Sequence, residues 1–174
     1  MERRAAADVP ADCKTDVAGA FKEAMRRLAA TVTIISAVSE QRPMGIAATA
    51  VISLSMDPPA LLASINRQNR IHGVLTPAAP FCVNILGSAH AELCKAFGGG
   101  MPQEERFRLG EWRHDEVPYL TDAEANVFCR VARTVDYGTH TLVIGHVEDV
   151  RIDGRSLPLI YGHGRFLELA PLMV

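Results

Sequence analysis

Short runs of β-branched and small residues, each closed by a polar or proline-bearing turn, dominate the chain. The pattern opens differently, with Ala20, Phe21, Ala24, Met25 and Leu28 at three- and four-residue spacing from Val17 onward. That spacing predicts a helix with one face on the core. Thr31 to Val38 then reads as a strand, Ser39 to Pro43 as a polar turn, and Met44 to Val51 as the returning strand. Ser53-Leu54-Ser55 reads as a hydroxyl-bearing turn ended by Asp57-Pro58-Pro59, because two prolines fix φ and withhold backbone donors. Ala60 to Ile65 is a third strand, Asn69 to Leu75 a short helix stopped by Pro77, and Phe81 to Leu86 a fourth strand. A helix over Ser88 to Phe97 ends at Gly98-Gly99-Gly100, Gln103 to Arg108 adds a helical turn, and Gly110 to Leu120 reads as irregular. Asn126 to Tyr137 and Thr139 to Ile152 form a long hairpin about Gly138, and Leu157 to Tyr161 and Arg165 to Leu169 are closing strands.

Seven or so strands with few helices between them predict a mainly β domain with flanking helices. A closed or partly closed antiparallel barrel fits this better than a doubly wound parallel sheet. Residues 1–16 read as a flexible leader and 17–174 as one domain. At 174 residues the chain is long enough to bury a substantial core. A formal net charge of -2 argues against nucleic acid or an anionic membrane surface as the main partner. No apolar run approaches the roughly 20 residues of a membrane helix. The early arginines have no apolar segment behind them, so no secretory signal is read. Cys13, Cys82, Cys94 and Cys129 form no C-x-x-C pair and read as unpaired thiols of a cytoplasmic protein.

The candidate chemistry centres on residues 45–70. A small-residue strand there offers close approach to a flat ring. The Asn66-Arg67-Gln68-Asn69-Arg70 cluster at its rim suits a phosphate, although a solvated loop with Asn69 capping a helix reads equally from these residues. Gly98-Gly99-Gly100 follows a helix and does not form G-x-G-x-x-G, and nucleophile-elbow and Walker patterns are absent. His140 and His146 share a strand face but lie about 20 Å apart, too far for one ion. His72, His90 and His114 read as solvated, so no metal is expected. His140, just past the hairpin turn, either faces a ligand or bonds its own loop.

Several segments together resemble the short-chain flavin reductase family. They are F-K-E-A-M-R-R-L-A-A-T-V-T-I-I at 21–35, G-I-A-A-T-A-V-I-S-L-S-M-D-P-P at 45–59, N-R-Q-N-R-I-H at 66–72 and F-C-V-N-I-L at 81–86. F-G-G-G-M-P-Q-E-E-R-F at 97–107, G-T-H at 138–140 and G-R-F at 164–166 follow in family order. The glycine-rich segment and the G-T-H turn look closest to the reductases of 4-hydroxyphenylacetate 3-monooxygenases. The resemblance implies an FMN-binding split β-barrel of Greek-key type, acting as a homodimer with flavin near the subunit interface. It implies an NADH- or NADPH-dependent reductase of FMN or FAD that supplies reduced flavin to a partner monooxygenase. An FMN-retaining reductase of a corrin or metal complex, a non-catalytic flavin- or haem-binding module, and an oxidase of the pyridoxamine-phosphate type share the fold.

By position, the resemblance puts Ala47, Ala48, Thr49, Ala50 and Ser53 along the isoalloxazine, and Ser55 at the ribityl chain or phosphate. Asn66, Arg67 and Asn69 fall on the phosphate side, while Phe97, Gly98 and Arg106 belong to the loop over the ring. His140 falls near the nicotinamide and Arg165 matches a C-terminal arginine. The loop departs from the family at Asn69 and Ile71, where hydroxyl residues are common. Val51 and Ile52 likewise stand where small or aromatic residues are commoner.

Overall fold

A computed structural model describes residues 16–153 and 157–169. Most of the leader read at residues 1–16, with Cys13, lies outside them. The chain begins with helix α1 (Val17–Met25) and strands β1 (Ala30–Thr31), β2 (Thr33–Ser39), β3 (Arg42–Ala48), β4 (Val51–Met56) and β5 (Pro59–Asn66). After a single 3-10 turn at Arg70–Val74 comes β6 (Pro80–Ile85). A helical excursion follows: α2 (Ala91–Lys95), a wide turn at Ala96–Gly100 and α3 (Gln103–Arg106). The short strands β7 (Trp112–His114) and β8 (Pro118–Leu120) lead into the long pair β9 (Ala125–Tyr137) and β10 (His140–Ile152). Strands β11 (Ile160–Gly162) and β12 (Arg165–Leu167) close the described chain.

Seven strands form one antiparallel sheet in the order β3-β2-β6-β9-β10-β5-β4. Its edges, β3 and β4, are sequence neighbours joined only by Thr49 and Ala50. A flat seven-stranded sheet would hold its edges about 29 Å apart at the usual strand spacing. Three residues of extended chain reach only about 11 Å. The sheet therefore curls until its edges approach at that end, although no ladder joins them among the described residues. Strands β1, β11 and β12 form a second sheet, and β7 and β8 a third.

Strand β2 explains how one sheet serves two cores. Successive side chains of a strand point to opposite faces. Ile34 joins Val32, Leu86, Leu93, Phe97 and Leu159 on one side, while Ile35 joins Leu61, Ile65, Phe81, Val83 and Val143 on the other. Both faces of β2 are covered, so Thr33 to Ala37 are buried without the in-and-out alternation of a half-exposed strand, the hydroxyls of Thr33 and Ser36 included.

Four expectations change. The residues 17–25 do form a helix, with Asp16 accepting a hydrogen bond from the Gly19 N–H at 2.9 Å, but its apolar face is open, with Phe21 62% exposed. Ser53-Leu54-Ser55 lies within β4 rather than in a turn; a bulge between Ser53 and Ser55 accommodates it. The stretch read as irregular contains the β7–β8 hairpin, with Trp112 opposite Leu120. The last closing strand ends at Leu167. No helix among the described residues is long and apolar enough to cross a membrane.

Candidate functional site

Gly45 decides how the glycine-rich loop meets the sheet. A Cβ there would lie 2.5 Å from the Phe97 ring, so only glycine lets that ring settle on β3. Phe97 is buried, meeting Phe107 edge to face at 5.1 Å and Trp112 at a tilt at 5.4 Å. Its ring is therefore anchored in the core, and with Gly98 and Ala47 it lines the same cavity. Gly98, Ala47, Asn69, Gln103 and Arg106 all line this cavity, of about 400 Å³.

Arg106 ties this loop to the sheet. Its Nε donates to the Met101 carbonyl at 2.9 Å, and Nη1 donates to the Gly45 carbonyl at 2.9 Å and to Gln103 Oε1 at 3.1 Å. Burial draws its pKa below the ordinary arginine value, with Glu104 opposing the shift, yet the guanidinium stays charged. Gln103 is only 9% exposed and its Nε2 has no hydrogen-bond partner among the described residues. Because Oε1 faces a guanidinium N–H, turning the amide over would set donor against donor. Nε2 is thus a fixed, buried and unused donor on a residue that lines the cavity, the kind of group a ligand oxygen satisfies once a small shift uncovers it. At the rim, Arg70 and Glu104 pair at 3.0 Å, both well exposed. Hydrogen bonds from Glu104's own backbone N–H and from Arg70 hold that carboxyl below the usual range.

A second groove of about 580 Å³ shares Ala47 and Gly98 with the first and adds Ala48, Thr49 and Arg165. The end of β3 is thus the partition between two spaces, its small side chains exposing a flat floor. Thr49, Ser53 and Ser55 also line a large apolar cavity of about 640 Å³. Ser55 Oγ there accepts from the Asp57 N–H at 3.2 Å. Ala50 is exposed in the β3–β4 link, where its carbonyl accepts from Ser64 N–H at 2.9 Å.

Asn66, Arg67 and His140 come together elsewhere, at the β9–β10 turn. His140 is the ladder partner of Asn66. Arg67 donates its backbone N–H to the Thr139 carbonyl at 2.9 Å and its guanidinium to the Gly138 carbonyl. His140 Nδ1 meets Thr139 Oγ1 at 2.9 Å, and Asn66 Oδ1 accepts from Gln68 N–H at 2.9 Å. The hairpin turn is thereby pinned to the 66–70 loop. Asn69 makes no side-chain cap of the following 3-10 turn, which leaves its amide to the first cavity. Ile71 is buried in the core, so packing accounts for the apolar residue in that loop.

Two histidines read as solvated are not. His72 Nε2 meets Thr141 Oγ1 at 2.9 Å, and Thr141 in turn donates to Asp136 Oδ1 at 2.6 Å. His90 Nδ1 accepts from Gly87 N–H at 3.1 Å, and its Nε2 lies 3.2 Å from Asp122. The described residues include no metal-holding group of three or more His, Cys, Asp or Glu. Gln103 escaped sequence reading because its neighbours, Glu104 and Glu105, look like an ordinary solvated helix start. Only its missing partner marks it.

Comparison with known proteins converges on one family. The flavin reductase like domain matches residues 25–170. The reductase component of an FADH2-dependent resorcinol hydroxylase from a Rhizobium species is 41% identical over 155 residues, 87% of each chain. An NADH-dependent FMN reductase, RutF 1, of Methylorubrum extorquens is 37% identical over 171 residues, 97% of this chain and 83% of its own. Among solved structures, a flavin reductase domain protein from Arthrobacter superposes with a TM-score of 0.83 at 28% identity, covering 90% of this chain and 98% of the other.

Proposed function

Because the chain belongs to the flavin reductase-like family, we propose that it is an NADH-dependent flavin reductase, delivering reduced FMN or FAD to a partner oxygenase. The observation that carries this reading is the partition at Ala47 and Ala48. Ala47 and Gly98 wall both spaces, Ala48 adds to the second, and Gln103, with its unused donor, lines the first. Such a wall fits a planar ring with carbonyl edges: apolar faces lie flat on alanines while an amide N–H meets an oxygen. A bound flavin supplies the two-electron chemistry, and the protein supplies position and electrostatics. In this reading Ala47, Ala48, Thr49, Ala50 and Ser53 hold the ring, and Phe97, through Gly98, and Arg106 shape the loop against it. Ser55, Asn66, Arg67 and Asn69 serve the phosphate side, Arg165 the second groove, and His140 orients the nicotinamide.

We also read the curled sheet as a split β-barrel of Greek-key type, with residues 17–174 forming its domain after a leader at 1–16. The approach of β3 to β4 at one end supports that reading. A homodimer is proposed because Ile52 and Met56 on β4 and Val150 on β10 line the large apolar cavity yet stand exposed, and Leu54 and Ile152 are exposed on the same two strands. A second copy seated there would also bring Ser53 and Ser55 into a closed site. The free thiols Cys82, Cys94 and Cys129 fit a cytoplasmic setting.

Purified protein mixed with NADH tests the activity, the loss of reduced-nicotinamide absorbance being followed with FMN, FAD or riboflavin added. Turnover that rises and saturates with free flavin is expected. Flavin retained through gel filtration with no response to added flavin would instead make the protein a dedicated flavoprotein with another acceptor. No oxidation under any flavin would overturn the reading.

A further inference from the structure

We propose that His72 is a positioning residue for the site: through Thr141 it fixes the His140 end of β10 against the loop that lines the first cavity. Resting on the flavin reductase reading, this gives a role to a residue that reading leaves unused.

His72, Thr141 and Asp136 form a chain whose direction the geometry fixes. Thr141 Oγ1 donates to Asp136 Oδ1 at 2.6 Å, a length typical of a hydroxyl bonded to a charged carboxylate. A threonine hydroxyl carries one hydrogen. With that hydrogen committed, the 2.9 Å contact between Thr141 Oγ1 and His72 Nε2 has the ring as its donor. The neutral ring therefore carries its proton on Nε2. The carboxylate polarises the hydroxyl, which makes the hydroxyl oxygen a stronger acceptor for the ring N–H. Thr141 is 3% exposed, so water does not compete for that oxygen.

Both ends of the chain are held. Ile71, next to His72, and Leu75 are buried, so the 3-10 turn that carries the ring is seated in the core. Asp136 and Thr141 are ladder partners on β9 and β10. The hairpin thus meets the 66–72 loop at two feet. At the first, Asn66 pairs with His140, and Arg67 N–H donates to the Thr139 carbonyl at 2.9 Å. The second foot is the His72 ring on Thr141. Between the feet, Gln68, Asn69 and Arg70 line the first cavity, and the His72 backbone N–H donates to the Asn69 carbonyl at 3.0 Å. Adjacent strand residues face opposite ways, so Thr141 is gripped on the core side while the His140 ring stands on the other. One foot alone would let the hairpin tip swing; the second sets where His140 lies relative to Asn69.

Amide exchange and kinetics of His72→Leu, His72→Gln and Thr141→Val test this. Leucine removes the ring donor, whereas a glutamine amide supplies one at similar reach. Valine removes the hydroxyl from the other end in nearly the same shape. In the ligand-free protein, His72→Leu and Thr141→Val should speed exchange of the Arg67 amide about tenfold and leave the β6 amides unchanged. His72→Gln should restore the slow exchange. In steady state the first two variants should raise KM for NADH about threefold to fivefold, with kcat held within about twofold. His72→Gln should reverse that rise, and His72→Leu should add nothing once His140 is already alanine. Unchanged Arg67 exchange, a glutamine variant as impaired as the leucine one, or effects of His72→Leu and His140→Ala that multiply would overturn the proposal. A wild type that oxidises no NADH under any flavin would instead overturn the reductase reading, and amide exchange would still decide whether His72 holds the hairpin.

Discussion

Two buried amides, Asn84 and Gln103, sit on opposite sides of the line between scaffold and site. Asn84 on β6 is fully enclosed and fully used. Its Nδ2 donates to the Ile34 carbonyl at 2.8 Å and to Ser36 Oγ at 3.0 Å. Its Oδ1 accepts from Leu120 N–H at 2.8 Å and Asn126 Nδ2 at 2.9 Å. One side chain thus ties β2, β6, β8 and β9 together. Gln103, nearly as buried, has its oxygen on Arg106 and its nitrogen on nothing. A saturated polar network specifies the fold, whereas a deficient one at a cavity waits for a ligand.

The largest effect should come from breaking the saturated member. Asn84→Ala leaves two buried donors and two buried acceptors short of partners, each costing about 1–3 kcal/mol. With partial relaxation the loss should be about 4 kcal/mol of unfolding free energy, read as a lower urea midpoint at unchanged slope. An effect below about 1 kcal/mol would show that water replaces the amide there, and the contrast with Gln103 would fail.

The scaffold side can also be titrated. Cys82, whose Sγ lies 3.8 Å from Asn84 Oδ1, and Cys129 on β9 are both enclosed. Burial pushes the Cys82 thiol far above its ordinary value and Cys129 up to about 12, with Glu148 adding to the latter. A raised pKa in the folded state means that only the unfolded chain releases the proton between the two values. Stability is therefore intact below about pH 9 and falls as pH rises from there toward 12, by up to about 1.4 kcal/mol per pH unit for each thiol. Unfolding at pH 10 should show a loss of roughly 1–3 kcal/mol relative to pH 8, and Cys129→Ala should flatten the slope. An unchanged slope in that variant would mean that the thiol reaches water.

Sequence reading recovered the scaffold side better than the site. Val32 to Ala37 and the β9–β10 pair are β-branched runs with Gly138 at the turn, and local preference agrees with tertiary burial there. The reading failed where pairing decided the outcome. Ser53 to Ser55 looks like a turn, but Leu61 and Ala60 of β5 supply ladder partners that hold it as a bulged strand. Trp112 and Leu120 gain strand geometry from pairing across the β7–β8 hairpin. The periodicity of α1 was legible, yet periodicity marks an apolar face without saying what it meets. Ala47, Asn69, Gly98 and Arg106 were legible as a group through resemblance, and one cavity does gather them. His140, Asn66 and Arg67 form a separate cluster, and Gln103 could be found only by counting hydrogen bonds.

Gln103→Leu tests the deficient member. Because the amide makes one bond of its own, the substitution should change stability by less than about 1 kcal/mol. If Nε2 serves a ligand oxygen, KM for flavin or NADH should rise about tenfold while the urea midpoint holds. A fall in stability without a kinetic effect would make Gln103 a second scaffold amide, supporting only Arg106.

The smallest effect should come from His140. Its Nδ1 is held by Thr139, and Arg67 fastens the turn beneath it through the Gly138 and Thr139 carbonyls, so the ring is placed without being part of the core. His140→Ala should leave unfolding unchanged within about 0.5 kcal/mol. It should raise KM for NADH about threefold to fivefold, more than it changes the flavin constant. Hydride transfer itself needs no protein proton, so the loss should lie in orientation, with KM affected more than the limiting rate. Varying flavin and NADH separately resolves the two constants. If only the flavin constant moved, the turn would belong with Asn66 and Arg67 on the phosphate side, and the nicotinamide would have to be oriented from the Gln103 side of the partition.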